Sequence, residues 1–295
     1  MRVTWGMMLD NMLSGMNLSS AAMIRYQNQL ATGKRVQKPS DDPAGVVRIL
    51  SLRATLDQVE THLSNITQGQ QWLAVTEAGL GRAADITAQA LDCARRGSSD
   101  VLPQAARETI AAEVSELLDA LLATANSRHV DRYVFAGTRN RDVPFNFIGD
   151  PPTGYAYAGD AGRLSWEMEP GVTQQVNVPG ESLLGPAMEA LISLRDNLLT
   201  GDTAAVSSTD MTAIDRAHSV LLTAITDVGA KVRRLDECEA GLTAVRHVVF
   251  DQLNRYESVD MAEAIMRLQM AEASYAAAQG ATARIIRPTL VDLIR

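Results

Sequence analysis

The stretch LATGKRVQKPSDDPAG, residues 30–45, decides how the chain is read. It is polar, holds a Thr-Gly pair, two prolines and two adjacent aspartates, and lies between two long helical patterns. It is either a loop that holds a phosphate or a metal, or a corner between helices. Thr32-Gly33 follows the last residue of one apolar stripe, and glycine is the common left-handed residue just past a helix C-terminus. Lys34 and Arg35 then sit where the helix dipole is negative. Ser40 has the chemistry of an N-cap. Asp41 and Asp42 fall in the first turn of the next helix, where carboxylates complement its positive end, and Pro43 is tolerated where amides lack an intrahelical partner. Gly33-Lys34 lacks the rest of a phosphate-binding loop, since position 28 is Asn and position 35 is Arg. Thr32, Gly33, Ser40, Asp41, Asp42 and Pro43 therefore read as a helix corner.

On its N-terminal side the corner follows a seven-residue repeat. Leu9, Met16, Met23 and Leu30 form one row, and Met12, Ser19 and Tyr26 the other. This spacing lays one stripe along a helix, as in a coiled-coil seam. After the corner the repeat restarts with Ile49, Leu56 and Leu63 beside Leu52, Val59, Ile66, Leu73 and Leu80. Gln70 and Glu77 interrupt it, and Gly97-Ser98-Ser99-Asp100 ends it after Arg95 and Arg96. A second amphipathic helix with Ile110, Val114, Leu117, Leu118, Leu121 and Ala125 follows, antiparallel to the first.

The texture changes near residue 133. Gly and Pro become frequent, and the short alternating runs YAYAG (155–159), RLSWEME (163–169) and TQQVNV (173–178) predict a small β-rich domain of hairpins. Seven aromatics, Tyr133, Phe135, Phe145, Phe147, Tyr155, Tyr157 and Trp166, gather there. Helical patterns resume at 187–199 and from about Asp210, with Ser258 or Asp260 capping a last stripe of Met261, Ile265, Leu268, Ala271 and Tyr275. The expected fold is mainly α with a β-rich insert, an elongated antiparallel helical bundle or coiled coil formed by both chain ends. Its parts are an N-terminal assembly helix and corner (1–44), a long helix and its partner (45–132), the β-rich domain (133–185), returning helices (186–257) and a C-terminal assembly helix and tail (258–295).

Composition narrows the function. The 295 residues carry a net charge of −8, which argues against nucleic-acid binding. No apolar run is long enough to insert in a membrane. Asp10 and Asn11 interrupt the apolar N-terminus, so the chain is expected to stay in the cytosol or to leave without a cleaved signal. Cys93 and Cys238 read as small buried side chains, with a single disulfide between them as the alternative. Four histidines show no metal-binding spacing, the Gly79–Ala84 run lies inside a helical pattern, and Asp150, Asp160 and Trp166 of the insert form no convergent acid, base and nucleophile. No catalytic, cofactor or metal site is expected.

LATGKRVQKPSDDPAG also closely resembles the N-terminal signature of the flagellin superfamily. RYVFAGTRNRDVPF (132–145) is similar to the segment that opens the small β domain in its hook–filament junction branch. DMAEAIMRLQMAEASYAAAQGATARIIRPTLVDLIR (260–295) resembles that branch's C-terminus more than that of filament flagellin, which remains the alternative. The resemblance implies a non-enzymatic structural subunit, held by a cytosolic flagellar export chaperone and exported by the flagellar type III apparatus. It implies an extracellular ring of identical subunits between hook-associated protein 1 and flagellin. The residues reach the same class independently, because a single helix cannot bury its own apolar stripe. Leu9, Met12, Met16, Met23, Tyr26 and Leu30, with Met261, Ile265, Leu268, Ala271, Tyr275, Ile286, Leu290 and Leu293, are the expected assembly interface. They would be covered by each other and by the same ends of neighbouring subunits.

Overall fold

A computed structural model describes the backbone of residues 5–292 and the side chains of 6–283. The chain divides into two compact units, Met1–Gln58 with Val245–Arg295, and Val59–Ala244.

The first unit holds α1 (Trp5–Thr32), the start of α2 (Pro43–Gly97), the end of α6 (Met211–Glu257) and α7 (Met261–Asp292). Between α1 and α2 the chain turns where the sequence predicts. Gly33 sits at φ +68° and donates its N–H to Gln29 O, closing α1. The start of α2 differs from the expectation. Asp42, not Ser40, is the cap, and its Oδ1 accepts the Gly45 N–H at 2.9 Å. The ring of Pro43 disfavours helical backbone at the preceding residue, so the helix cannot begin before position 43. Asp41 instead accepts the N–H groups of Gln37 and Lys38 and holds a separate turn. Val36 reaches from the corner into a small core with Ile49, Leu52, Val249 and Leu253.

The second unit packs the rest of α2 and α6 with α3 (Gln104–Ala125), α4 (Glu181–Thr200) and the single turn α5 (Thr203–Ala205). The long rows of α2 are its spine: Ile66, Leu73 and Leu80 are fully buried, against Leu118, Leu121, Leu191 and Leu221 of one continuous core. Gln70, which breaks the apolar row, donates to Asp236 and Glu239 of α6, so the polar residue in the seam is satisfied across it. A π-helical turn, Val206–Asp210, precedes α6, and buried Asp210 accepts hydrogen bonds there from Ser193 and Asn197.

The insert forms three antiparallel two-stranded hairpins. They are β1 (Arg128–His129) with β2 (Arg132–Tyr133), β3 (Phe145–Ile148) with β4 (Gly154–Tyr157), and β5 (Ser165–Glu169) with β6 (Val172–Gln175). Phe135, Phe145, Met168 and Val176 are buried in the same core as the helices. Phe135 fits because Gly79 of α2 and Gly180 approach it closely; a Cβ on either would come within 3.0 Å of its side chain. The glycine-rich run at 79–84 therefore serves packing inside a helix, not a dinucleotide.

Candidate assembly interface

The α1 seam forms as a heptad should. Leu9, Met12, Met16, Met23, Tyr26 and Leu30 are all half-buried, on the helix that packs along α7. Met16 lies beside Thr282, whose hydroxyl donates to Met16 Sδ at 3.7 Å. Tyr26 shares a groove with Arg267 and Ala271 and bonds the Arg267 side chain. The two helices therefore run antiparallel.

The matching face of α7 has two rows of its own. Ala264 and Ala271 are buried and Ala278 is half-buried; Leu268, Tyr275 and Thr282 are half-buried beside them. Large side chains of α1 thus meet a row of alanines, which lets the helices approach closely. Of the expected C-terminal stripe, Leu268, Ala271 and Tyr275 lie in this seam, whereas Met261 and Ile265 are exposed. A search weighted to large apolar residues passes over Ala264, whereas Ala278 lies in the run AEASYAAAQGATA (271–283), whose small side chains favour close helix approach. The side chains of Ile286 and Leu290, and all of Leu293, lie outside the described residues.

The two corners are joined. Arg35 donates its N–H to Glu257 O at 2.7 Å and Val259 to Gly33 O at 3.0 Å, an antiparallel bridge between the α1–α2 and α6–α7 turns. Glu257 accepts from Lys34 at 2.5 Å and from Arg53 at 2.8 Å. Lys34 first, then Arg53, holds its carboxyl below the usual glutamate range, against the opposing effect of burial. Arg35 reaches Asp42 and Tyr256 O, and the buried Gln29 side chain donates to Arg35 O. Asp260 caps α7 through the N–H groups of Ala262 and Glu263. The charged residues of the opening stretch thus clamp one helix pair to the other. Arg53 and Glu257 were not visible as site residues, because their partners are far away in sequence.

Pairing α1 with α7 does not exhaust the apolar surface of either. Met7, Met8, Leu13, Leu18 and Ile24 of α1 remain 41–69% exposed, and Met261, Ile265, Met266 and Met270 of α7 45–70%. Exposed apolar side chains at this density on one helix pair mark an interaction surface.

Elsewhere the side chains singled out for chemistry serve the fold. Asp160 accepts from the Thr138 N–H and hydroxyl and the Gly162 N–H, and the Thr138 bonds hold its carboxyl below its ordinary range. His218 meets Thr87 at 2.9 Å and His129 packs edge-on to Trp72. Both cysteines are free thiols, Cys93 buried and Cys238 half-buried. Among the described residues no cluster of three or more His, Cys, Asp or Glu could hold a metal, and no helix is long and apolar enough to cross a membrane.

The bacterial flagellin N-terminal helical region family matches residues 4–140. The chain is 27% identical over 274 residues to the flagellar hook-associated protein 3 of Escherichia coli strain K12, covering 88% of this chain and 82% of that one. In fold it is similar to a structure described as a flagellar hook-associated protein from Vibrio parahaemolyticus, with a TM-score of 0.69 at 19% identity over 74% of this chain and all of that one. It is also similar to the flagellar junction protein FlgL from Legionella pneumophila, with a TM-score of 0.58 at 14% identity over 71% of this chain and 99% of that one.

Proposed function

We infer, for a chain that belongs to the flagellar hook-associated protein 3 family and carries the flagellin-type N-terminal region, that it is the structural subunit joining hook to filament. It is a non-enzymatic component of the flagellum. The observation that carries the assembly reading is the α1–α7 pair, which satisfies one seam internally and leaves nine large apolar side chains among the described residues outside it. Copies of the chain pack these outer faces against one another to close a ring. One side of the ring meets hook-associated protein 1 and the other the first flagellin subunits. A cytosolic export chaperone shields the same faces before the type III apparatus carries the chain out of the cell. Filament flagellin, the alternative, gives way because the long sequence match is to hook-associated protein 3.

Electron microscopy of cells lacking this chain tests the reading. Hooks without filaments, with flagellin lost to the medium, are expected; filaments of normal number and length would overturn it.

A further inference from the structure

The second unit holds a cavity of about 560 Å³ at the edge of its core, beside the β1–β2 hairpin. Its walls are Trp72 and Trp166, two of the three tryptophans in a chain that is only 4% aromatic, with His129 edge-on to Trp72. The Trp72 indole N–H is buried without an acceptor. Arg132 and Arg141 stand exposed at the mouth beside Asp131, and among the described residues no hydrogen bond or ion pair engages the two guanidinium groups. Beside them Val130, at φ +55° and 81% exposed, is held at the hairpin tip in a backbone region that β-branched residues avoid. Tryptophan and arginine around a concave centre are the composition of an interface hot spot.

The same unit carries a surface of opposite character. The outer stripe of α3 is Glu108, Ala112, Glu116, Asp119 and Ala123, all exposed, at the spacing that places them on one helical face. Among the described residues none of the three carboxylates has a hydrogen-bond or ion-pair partner, and the alanines leave the backbone open to close approach. The stripe cannot fill its own cavity. Glu113 of α3 pairs with Arg96 of α2, about 36 Å along α2 from Trp72, and Asp119, the acidic residue of the stripe nearest the cavity, lies only about 9 Å closer at 1.5 Å per residue.

We propose that the Trp72–Trp166 cavity of one copy receives the acidic α3 stripe of the next, Arg132 and Arg141 pairing with Glu108, Glu116 or Asp119. Two different patches in contact make a head-to-tail interface, the kind that closes into a ring when the rotation permits. This rests on the assembly reading above and adds a second, more polar contact to the one made by the terminal helices.

Charge exchange tests it in the full-length chain. R132E/R141E should keep the wild-type circular dichroism spectrum and reduce incorporation at the hook tip at least tenfold, as should E116R/D119R. Combining all four substitutions should restore most of it, since every copy then presents the reversed pair. In parallel, a benzophenone side chain at position 130 should crosslink, in isolated flagella, to residues 104–125 of a second copy. No recovery in the combined variant, or a crosslink only to flagellin or another flagellar protein, overturns the proposal while leaving the assembly reading intact. Absence of the wild-type chain from isolated flagella overturns both.

Discussion

Lys34 and Glu257, more than two hundred positions apart in sequence, meet at 2.5 Å, and the same carboxylate takes a second hydrogen bond from Arg53. The contact closes the antiparallel bridge between Lys34 and Ser258, so each corner of the chain fixes the other. The Glu257 carboxyl is held below its usual value, so the clasp contributes fully above the unfolded glutamate pKa of about 4.3 and is lost as the pH falls through the lower folded value. Both cations are about half exposed, which screens the gain. Glu257→Gln should cost about 1 kcal/mol at neutral pH. Urea unfolding should show the two proteins converging in acid; a difference unchanged from pH 7 to 3 would exclude the ionic clasp.

Asp42 and Ser40 should respond differently to alanine. Asp42→Ala removes the cap of α2 and costs about 1 kcal/mol, whereas Ser40→Ala stays within about 0.5 kcal/mol. Hydrogen exchange at the Gly45 amide reads the cap directly. Faster exchange in the Ser40 variant than in the Asp42 variant would move the cap back to the position expected from sequence.

Phe135 is fully buried between Gly79 and Gly180. Phe135→Ala should destabilise the second unit by about 3–5 kcal/mol, seen as an earlier urea transition. A loss below about 1 kcal/mol would mean that the hairpin segment is not part of the helical core.

Tyr157 donates its hydroxyl proton to Phe135 O and Asp160 O. Burial first, then Glu181 and Asp160, pushes its pKa up to about 12. A phenol that holds its proton more tightly when folded stabilises the fold below about pH 10, and that contribution fades as the pH rises through 12. In ultraviolet titration, Tyr157→Phe should remove the last tyrosine to ionise before alkaline unfolding. Loss of an ordinary tyrosine step near pH 10 would contradict the assignment.

Most of the helical frame was legible because its signals are local and repeated. The heptads of α1 and α2, Gly33 and Gly97 at helix ends, and Asp260 before α7 can each be read within one or two turns. What escaped was decided by partners distant in sequence. Pro43 moved the cap to Asp42. The alanine row of α7 became a buried face only because α1 packs along it, with Tyr26 opposite Ala271 and Gln29 beside Ala264. Glu257 and Arg53 looked like solvated helix charges until the two corners met. The hairpins could be recognised from alternation and turns, but nothing local says that Phe135 needs the bare backbone of Gly79.

The central claim is that the outer apolar faces of α1 and α7 are covered by other subunits. Ile24 and Ile265 are 52% and 45% exposed, so I24D and I265D change those faces and spare the seam. The deciding measurement is the amount of each variant at isolated hook tips, taken with the helix content and thermal unfolding of the purified protein. The account predicts wild-type helicity and melting with incorporation reduced at least tenfold and few filaments. Full incorporation and normal filaments from variants that fold normally would contradict it.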